Sequence, residues 1–407
     1  MKIPKILVVA QDIHPRRGSE AGKAYLFVNS ISNKYKVKVF TELRNKDAIE
    51  KDKISKNIEV DYVNLDGVIE KIVRKYKLYN IRNRLFISKV EDILKQGNAI
   101  SDYDLIHVLT PSGIHCYNEL YKLGIPVLIG PIGGALSIPN EILADMDFKV
   151  RLKERIRMFI YYSIMKWPKW KKYFENAELI LVGTDYLKKY MPERSRKRCM
   201  VFFDTAVDTN EFKDAHRGDR KYVTFVGRLE PQKGCKLVID AFIRVAKAYK
   251  DQKFIIIGGG SLQNYIMKKI NRSGMRNQIT MTGNIPRKSV KKYLTETKIY
   301  CLPSLREPGG VSVLEAMACE CPVIVSDYGG LKYSVNDKCG IKITIGKYND
   351  MLNAIEKSIR YLLENPNIAK KMGEYGRGNV KNNFSKKQLM LRMDKIYNTI
   401  IEQNMVT

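Results

Sequence analysis

The chain is 407 residues long, and 72 Lys and Arg against 43 Asp and Glu leave a formal charge of +29. That length suits two or three domains, and 44% hydrophobic with 10% aromatic residues supplies enough apolar surface for sizeable cores, which excludes a disordered polycation. The charge calls for an acidic partner: nucleic acid, an anionic membrane or a phosphorylated substrate.

The first apolar run, Ile6 to Val9, is too short for a signal peptide and is soon interrupted by Gln11 and Asp12. No stretch approaches the roughly 18–20 apolar residues of a spanning helix. Further β-branched runs follow at Val37 to Phe40, Ile58 to Val63, Leu105 to Leu109, Val127 to Ile129 and Leu179 to Val182. A second series occupies Tyr222 to Val226, Phe254 to Ile257, Ile279 to Met281, Ile299 to Leu302 and Val323 to Val325. Helix-length amphipathic stretches separate them, a pattern that predicts parallel sheets covered on both faces. Two series predict two doubly wound α/β domains, 1–213 and 214–384, with the seam near Asp214 to Arg220. A closing helix at about 385–407 follows the last strand. Seven scattered cysteines form no C-x-x-C, only Cys319-x-Cys321, so a disulfide scaffold or zinc ribbon is not expected and a reduced, cytoplasmic setting is. Four histidines are few for a metal enzyme.

Two loops at strand ends carry the chemistry. After Tyr222 to Val226 comes Gly227-Arg228-Leu229-Glu230-Pro231-Gln232-Lys233-Gly234, entering a helix at Cys235. Its two cations suit a diphosphate, Arg as a planar fork and Lys as a point charge; a turn with solvated charges explains this loop alone equally well. After Ile299 to Leu302 the chain runs Glu307-Pro308-Gly309-Gly310-Val311 into a helix that carries Glu315. Glycines there expose backbone N–H groups at a helix start, where an anion can be held. Carboxylates such as Glu307 and Glu315 accept strong hydrogen bonds from a hydroxyl-rich ligand. The bland alternative makes Glu307 a helix cap and Glu315 a surface charge.

With these residues in view, the chain resembles the retaining, metal-independent glycosyltransferases of family 4, with the GT-B fold. The resemblance rests on V-G-R-L-E-P-Q-K-G at 226–234, the E-x7-E element from Glu307 to Glu315, and E-A-M-A-C-E-C-P-V-I-V-S-D at 315–327. Supporting matches are Ile256 to Gly260, Thr282-Gly283-Asn284, Val207 to Phe212 and the loop Pro15 to Gly22. It implies two Rossmann-like domains facing across a cleft, the first on the acceptor side and the second binding a nucleotide sugar, with the C-terminal helix packing back on the first. It further implies that Arg228 and Lys233 hold the donor diphosphate, Glu307 contacts the transferred sugar and Glu315 binds the ribose. Gly309, Gly310 and Val311 would offer amides near sugar and phosphates. Gly283 and Asn284 would lie by the base, with Gly18 and Ser19 where the N-terminal domain approaches the donor. Neither metal nor cofactor is implied; UDP is the family default and GDP the alternative.

The chain also departs from that pattern. Gly309 stands where many relatives carry an aromatic residue, and Thr205-Ala206-Val207-Asp208 replaces N-G-V-D. Gly130-Pro131-Ile132-Gly133-Gly134 stands where a donor-contacting histidine is common, and the sequence assigns that role to neither His107 nor His115, both of which precede this point. Asp145-Met146-Asp147 is formally a metal-binding D-x-D but runs into a basic helical pattern and reads as chance.

About half of the charge lies in two segments, +7 at 71–89 and +8 at 149–173. The first reads as a solvated face. The second mixes Lys169, Lys171 and Lys172 with Trp167 and Trp170, which suits an anionic membrane; no recognition motif supports nucleic acid. The expected protein is therefore a cytoplasmic glycosyltransferase, peripheral on the inner face of the membrane, that glycosylates a glycan or lipid-linked saccharide in cell-surface polysaccharide synthesis. Its rivals are a GT-B nucleotide-sugar epimerase and a non-catalytic basic binder of membrane or nucleic acid.

Overall fold

The computed structural model describes residues 3–15, 20–31, 33–52, 54, 57–65, 67, 79–96, 102–114, 116–212 and 220–405. They form two compact units. The first comprises Met1–Ala135, Arg157–Asp204 and Lys387–Thr407, and the second Leu136–Ile156 and Thr205–Lys386. Of the polar stretch Asp214 to Arg220, taken from the sequence as the seam, all but Arg220 lies outside the described residues.

The first unit holds a seven-stranded sheet in the order β3-β2-β1-β4-β5-β6-β7, parallel throughout. Its strands are β1 Lys5–Ala10, β2 Lys36–Glu42, β3 Ile58–Val63, β4 Leu105–Thr110, β5 Val127–Ile132, β6 Leu179–Val182 and β7 Cys199–Val201. Every residue of β4 and β5 is buried, as nearly continuous apolar runs demand of a sheet covered on both faces.

The second unit holds a six-stranded sheet, β10-β9-β8-β11-β12-β13, also parallel. Its strands are β8 Tyr222–Val226, β9 Lys253–Ile257, β10 Ile279–Gly283, β11 Thr297–Leu302, β12 Val323–Ser326 and β13 Gly340–Ile343. The helix Cys235–Ala248 buries Leu237, Val238, Ala241, Phe242 and Val245, one stripe at helical spacing, and Phe242 stacks on Phe254 of β9 at 4.8 Å. Here the direction of winding reverses between β8 and β11, and open parallel sheets bind ligands beyond the carboxyl ends of strands at such a reversal. Both motif loops leave the sheet at that point.

β7 and β13 are absent from the sequence reading. β7 has three residues, and β13 opens on glycine and carries Lys342, so neither makes a β-branched run. All seven cysteines are free thiols. Among the described residues no helix is long and apolar enough to cross a membrane.

Candidate active site

The loop after β8 and the loop after β11 are tied together by hydrogen bonds. Leu305 donates its N–H to the Gln232 carbonyl at 2.8 Å, and Ser304 Oγ donates to the same oxygen at 3.1 Å. The Tyr300 hydroxyl of β11 lies 3.1 Å from the Val226 carbonyl and 2.8 Å from Ser312 Oγ. These bonds hold Lys233 on one loop against Glu307 on the other.

Glu307 is the centre of the arrangement. One carboxylate oxygen pairs with Lys233 Nζ, and the other accepts the N–H of Gly310 at 3.1 Å and of Gly309 at 3.4 Å. Gly310 caps the helix Val311–Ala318 in the left-handed region, φ 64°, so its amide turns back toward Glu307. The Glu307 backbone is pinned as well. Gly330 donates its N–H to the Glu307 carbonyl at 2.7 Å, and a Cβ at Gly330 would sit 2.0 Å from the Pro308 oxygen, so only glycine fits. Burial alone would push the Glu307 carboxyl up. The Lys233 charge, its hydrogen bond and the two amides outweigh burial and hold the pKa below the ordinary carboxylate value. Glu307 is therefore ionised at neutral pH.

Glu315, about one turn into the helix, is equally buried but balanced differently. Burial raises its pKa, and the charge of Arg287 at 2.9 Å only partly offsets this while Glu211 adds to the rise. Arg287 also lies 3.5 Å from Glu211 and is largely exposed. The Tyr300 hydroxyl is kept protonated mainly by burial, with the charges of Glu315 and Glu307 reinforcing it.

The structure gathers three glycine-bearing loops at these strand ends. Gly227 donates to the Ile257 carbonyl at 3.0 Å, Leu229 to that of Gly259 at 2.9 Å, and Gly258 to that of Gly283 at 2.9 Å. Gly283 and Asn284 thus lie beside the β8 loop. Arg228 is exposed and its guanidinium makes no hydrogen bond or ion pair among the described residues. Gly18 and Ser19 lie outside the described residues. Sequence reasoning passed over Tyr300, Ser312, Arg287 and Gly330. The pair Gly329-Gly330 after Asp327 carried a readable signal, whereas contacts of Arg287 and Tyr300 are formed only by the fold.

Other expected features fall elsewhere. His107 sits within β4, fully buried, with Nδ1 2.7 Å from the Tyr397 hydroxyl and Nε2 2.6 Å from the Gly130 carbonyl. Burial, partly opposed by the Gly130 bond, pushes its pKa down to about 4. It is a satisfied core histidine; His115 is outside the described residues. In the second unit Asp145 accepts the N–H of Tyr348 at 2.7 Å and Asp147 pairs with Lys236 at 2.7 Å. Both carboxylates of the D-x-D are thus engaged structurally. Of the two tryptophans, Trp170 is half-buried against the core and Tyr117, at 4.2 Å between rings, so Trp167 alone presents its ring outward, beside exposed Lys169, Lys171 and Lys172.

Residues 206–379, most of the second unit, match the family described as Glycosyl transferases group 1. An uncharacterized glycosyltransferase of Methanocaldococcus jannaschii, MJ1178, is 26% identical over 84% of this chain and 90% of its own. Among solved structures, sucrose-phosphate synthase from Thermosynechococcus elongatus superposes with a TM-score of 0.66 at 19% identity, over 98% of this chain and 100% of that one. The Anabaena protein Alr3699/HepE, solved in complex with UDP, gives 0.62 at 17%, over 97% and 100%. At such identities the two structures speak for the fold.

Proposed function

We propose that this chain, whose fold is that of the GT-B neighbours and whose residues 206–379 match group 1 glycosyl transferases, is a glycosyltransferase that moves a sugar from a nucleotide-sugar donor to a hydroxyl of a glycan or lipid-linked saccharide, with retention of configuration and without a metal or other cofactor. The observation that carries the proposal is the Glu307 carboxylate, kept ionised by Lys233 and two helix-start amides at the reversal point of a parallel sheet. An ionised carboxylate there is an acceptor for sugar hydroxyls and cannot serve as a general acid at neutral pH.

In the proposed reaction Lys233 and Arg228 neutralise the diphosphate as the bond from the anomeric carbon to its phosphate oxygen breaks. The acceptor oxygen bonds to the same face of that carbon, and its proton passes to the leaving phosphate. Gly309, Gly310 and Val311 would add backbone donors near the sugar and phosphates, and Glu315 would accept the ribose hydroxyls. UDP is the expected nucleotide, as in the HepE complex, and GDP the alternative. A surface polysaccharide is the expected product.

Incubation with a panel of UDP- and GDP-sugars and hydroxyl acceptors, with and without a chelator, tests this. Free nucleotide together with an acceptor glycosylated in the donor's anomeric configuration is expected, undiminished by chelation. An isomerised sugar nucleotide would identify the epimerase instead, and an inverted product would overturn the retaining reaction.

A further inference from the structure

We infer that the solvent face of the helix Phe148–Ile164, continued by Trp167, is a docking surface for an anionic lipid bilayer. Phe148, Leu152, Ile156 and Phe159 follow spacings of four, four and three residues, which places them within about 80° of arc on an α-helix. These four, with Ile160 and Trp167, are between 46% and 70% exposed. The opposite side of the helix packs inward through half-buried Val150 and Tyr161 and buried Glu154. The stripe lies on one unbroken helix and needs no other element to complete it. Among the described residues, seven of the eighteen large exposed hydrophobic side chains fall between Phe148 and Trp167. Isolated exposed apolar residues need no explanation, but a contiguous row of them marks a contact surface.

The charge around the stripe selects the occupant. Lys149, Lys153 and Arg155 flank it on the helix, and Lys166, Lys169, Lys171 and Lys172 neighbour Trp167 along the chain, all exposed. None of these seven has a carboxylate within ion-pairing distance among the described residues. The one acid of the segment, Glu154, is turned inward to Arg306 at 2.6 Å. Lys166 lies 4.2 Å from the Tyr162 ring centroid, beside Trp167. A second copy of the chain would set one cationic rim against another. Nucleic acid would satisfy the cations, yet Leu152, Ile156 and Ile160 are aliphatic and cannot stack on bases. Acyl chains accept aliphatic and aromatic side chains alike, while anionic headgroups meet the Lys and Arg.

Flotation of the full chain with phosphatidylcholine vesicles, with and without phosphatidylglycerol, tests the surface without any donor or turnover, so its outcome is separable from that of the transfer reaction. Native protein should float with the anionic vesicles and far less with the neutral ones. The triple change Leu152→Ser, Ile156→Ser, Phe159→Ser should reduce flotation about ten-fold, as should Lys149→Glu, Lys153→Glu, Arg155→Glu. Unchanged melting temperatures would show that both variants fold; if the serine variant does not, the charge-reversed one carries the test. Equal flotation of the folded variants would overturn the inference. So would a dimer in solution that the serine changes dissociate without any vesicle binding, or capture by duplex nucleic acid that outcompetes the vesicles.

Discussion

β4 in the first sheet and β11 in the second occupy the same position, each paired to the first strand of its unit across the reversal. Each is associated with a buried polar group whose protonation is displaced, yet the two groups do different things. His107 lies within β4, its two ring nitrogens saturated by Tyr397 and Gly130. Glu307 lies beyond the end of β11, and its partners are a flexible lysine and two amides at a helix start. A polar group sealed inside a strand has spent its hydrogen bonds on the fold, so its titration is felt as stability. A polar group past the strand end keeps partners that a ligand could displace, so in the proposed reaction its titration bears on activity as well as on stability.

Removing Glu307 is the strongest way to test that difference. Glu307→Ala should lower transfer by about a thousand-fold, the scale associated with an electrostatic contact to the reacting sugar, while the circular dichroism spectrum stays native. Transfer within a few-fold of native would make Glu307 a helix cap and end the comparison. Lys233→Met should act next, raising the donor KM by about ten- to a hundred-fold through loss of a charge-assisted phosphate contact. Because Lys233 is the main influence holding the Glu307 carboxyl down against burial, the same change should move the acid limb of the kcat/KM profile to higher pH. An unmoved limb would show that the amides alone keep Glu307 ionised.

The two strands also show what a sequence can disclose. Eleven of the thirteen strands among the described residues announce themselves as β-branched runs, because a parallel strand buried on both faces needs mostly apolar side chains. The residues of the Glu307 site were legible because loop glycines and charges cluster in sequence beside strand ends. Tyr397 on β4's histidine, and Arg287 on Glu315, join residues 290 and 28 positions apart, and no local pattern encodes such meetings. The exposed stripe of the helix Phe148–Ile164 was hidden for a different reason. Its apolar residues have ordinary helical spacing, and sequence alone does not tell whether such a stripe faces a core or water.

His107 supplies the next effect, in stability. Its folded pKa of about 4 lies below the ordinary value of 6.5, so between those values the unfolded chain binds the proton and the folded one does not. Stability therefore falls as pH drops through that window, by about 3 kcal/mol from this residue. In His107→Gln the first unit should start less stable at pH 7.5, with two partners left imperfectly bonded, but lose less between pH 6.5 and 4. A pH dependence of melting identical to native would remove His107 as its cause.

The smallest effects set the two carboxylates of the site against each other. Glu307 has a depressed pKa, so its ionised form contributes stability above pH 4.5 that is lost as pH falls through the folded value. Glu315 has a raised one, so the folded chain loses stability as pH rises from 4.5 through the folded value, and the deficit persists above it. Glutamine at each position keeps the shape and removes the charge. At pH 7 Glu307→Gln should lower the melting temperature and Glu315→Gln should raise it. Glu315→Gln should nonetheless weaken nucleotide binding about three- to ten-fold, since a carboxylate accepts stronger hydrogen bonds from hydroxyls than an amide does. Stability and affinity moving in opposite directions is the signature of a charge kept for a ligand at the fold's expense. A lower melting temperature with unchanged nucleotide affinity would instead make the Glu315–Arg287 pair a structural ion pair.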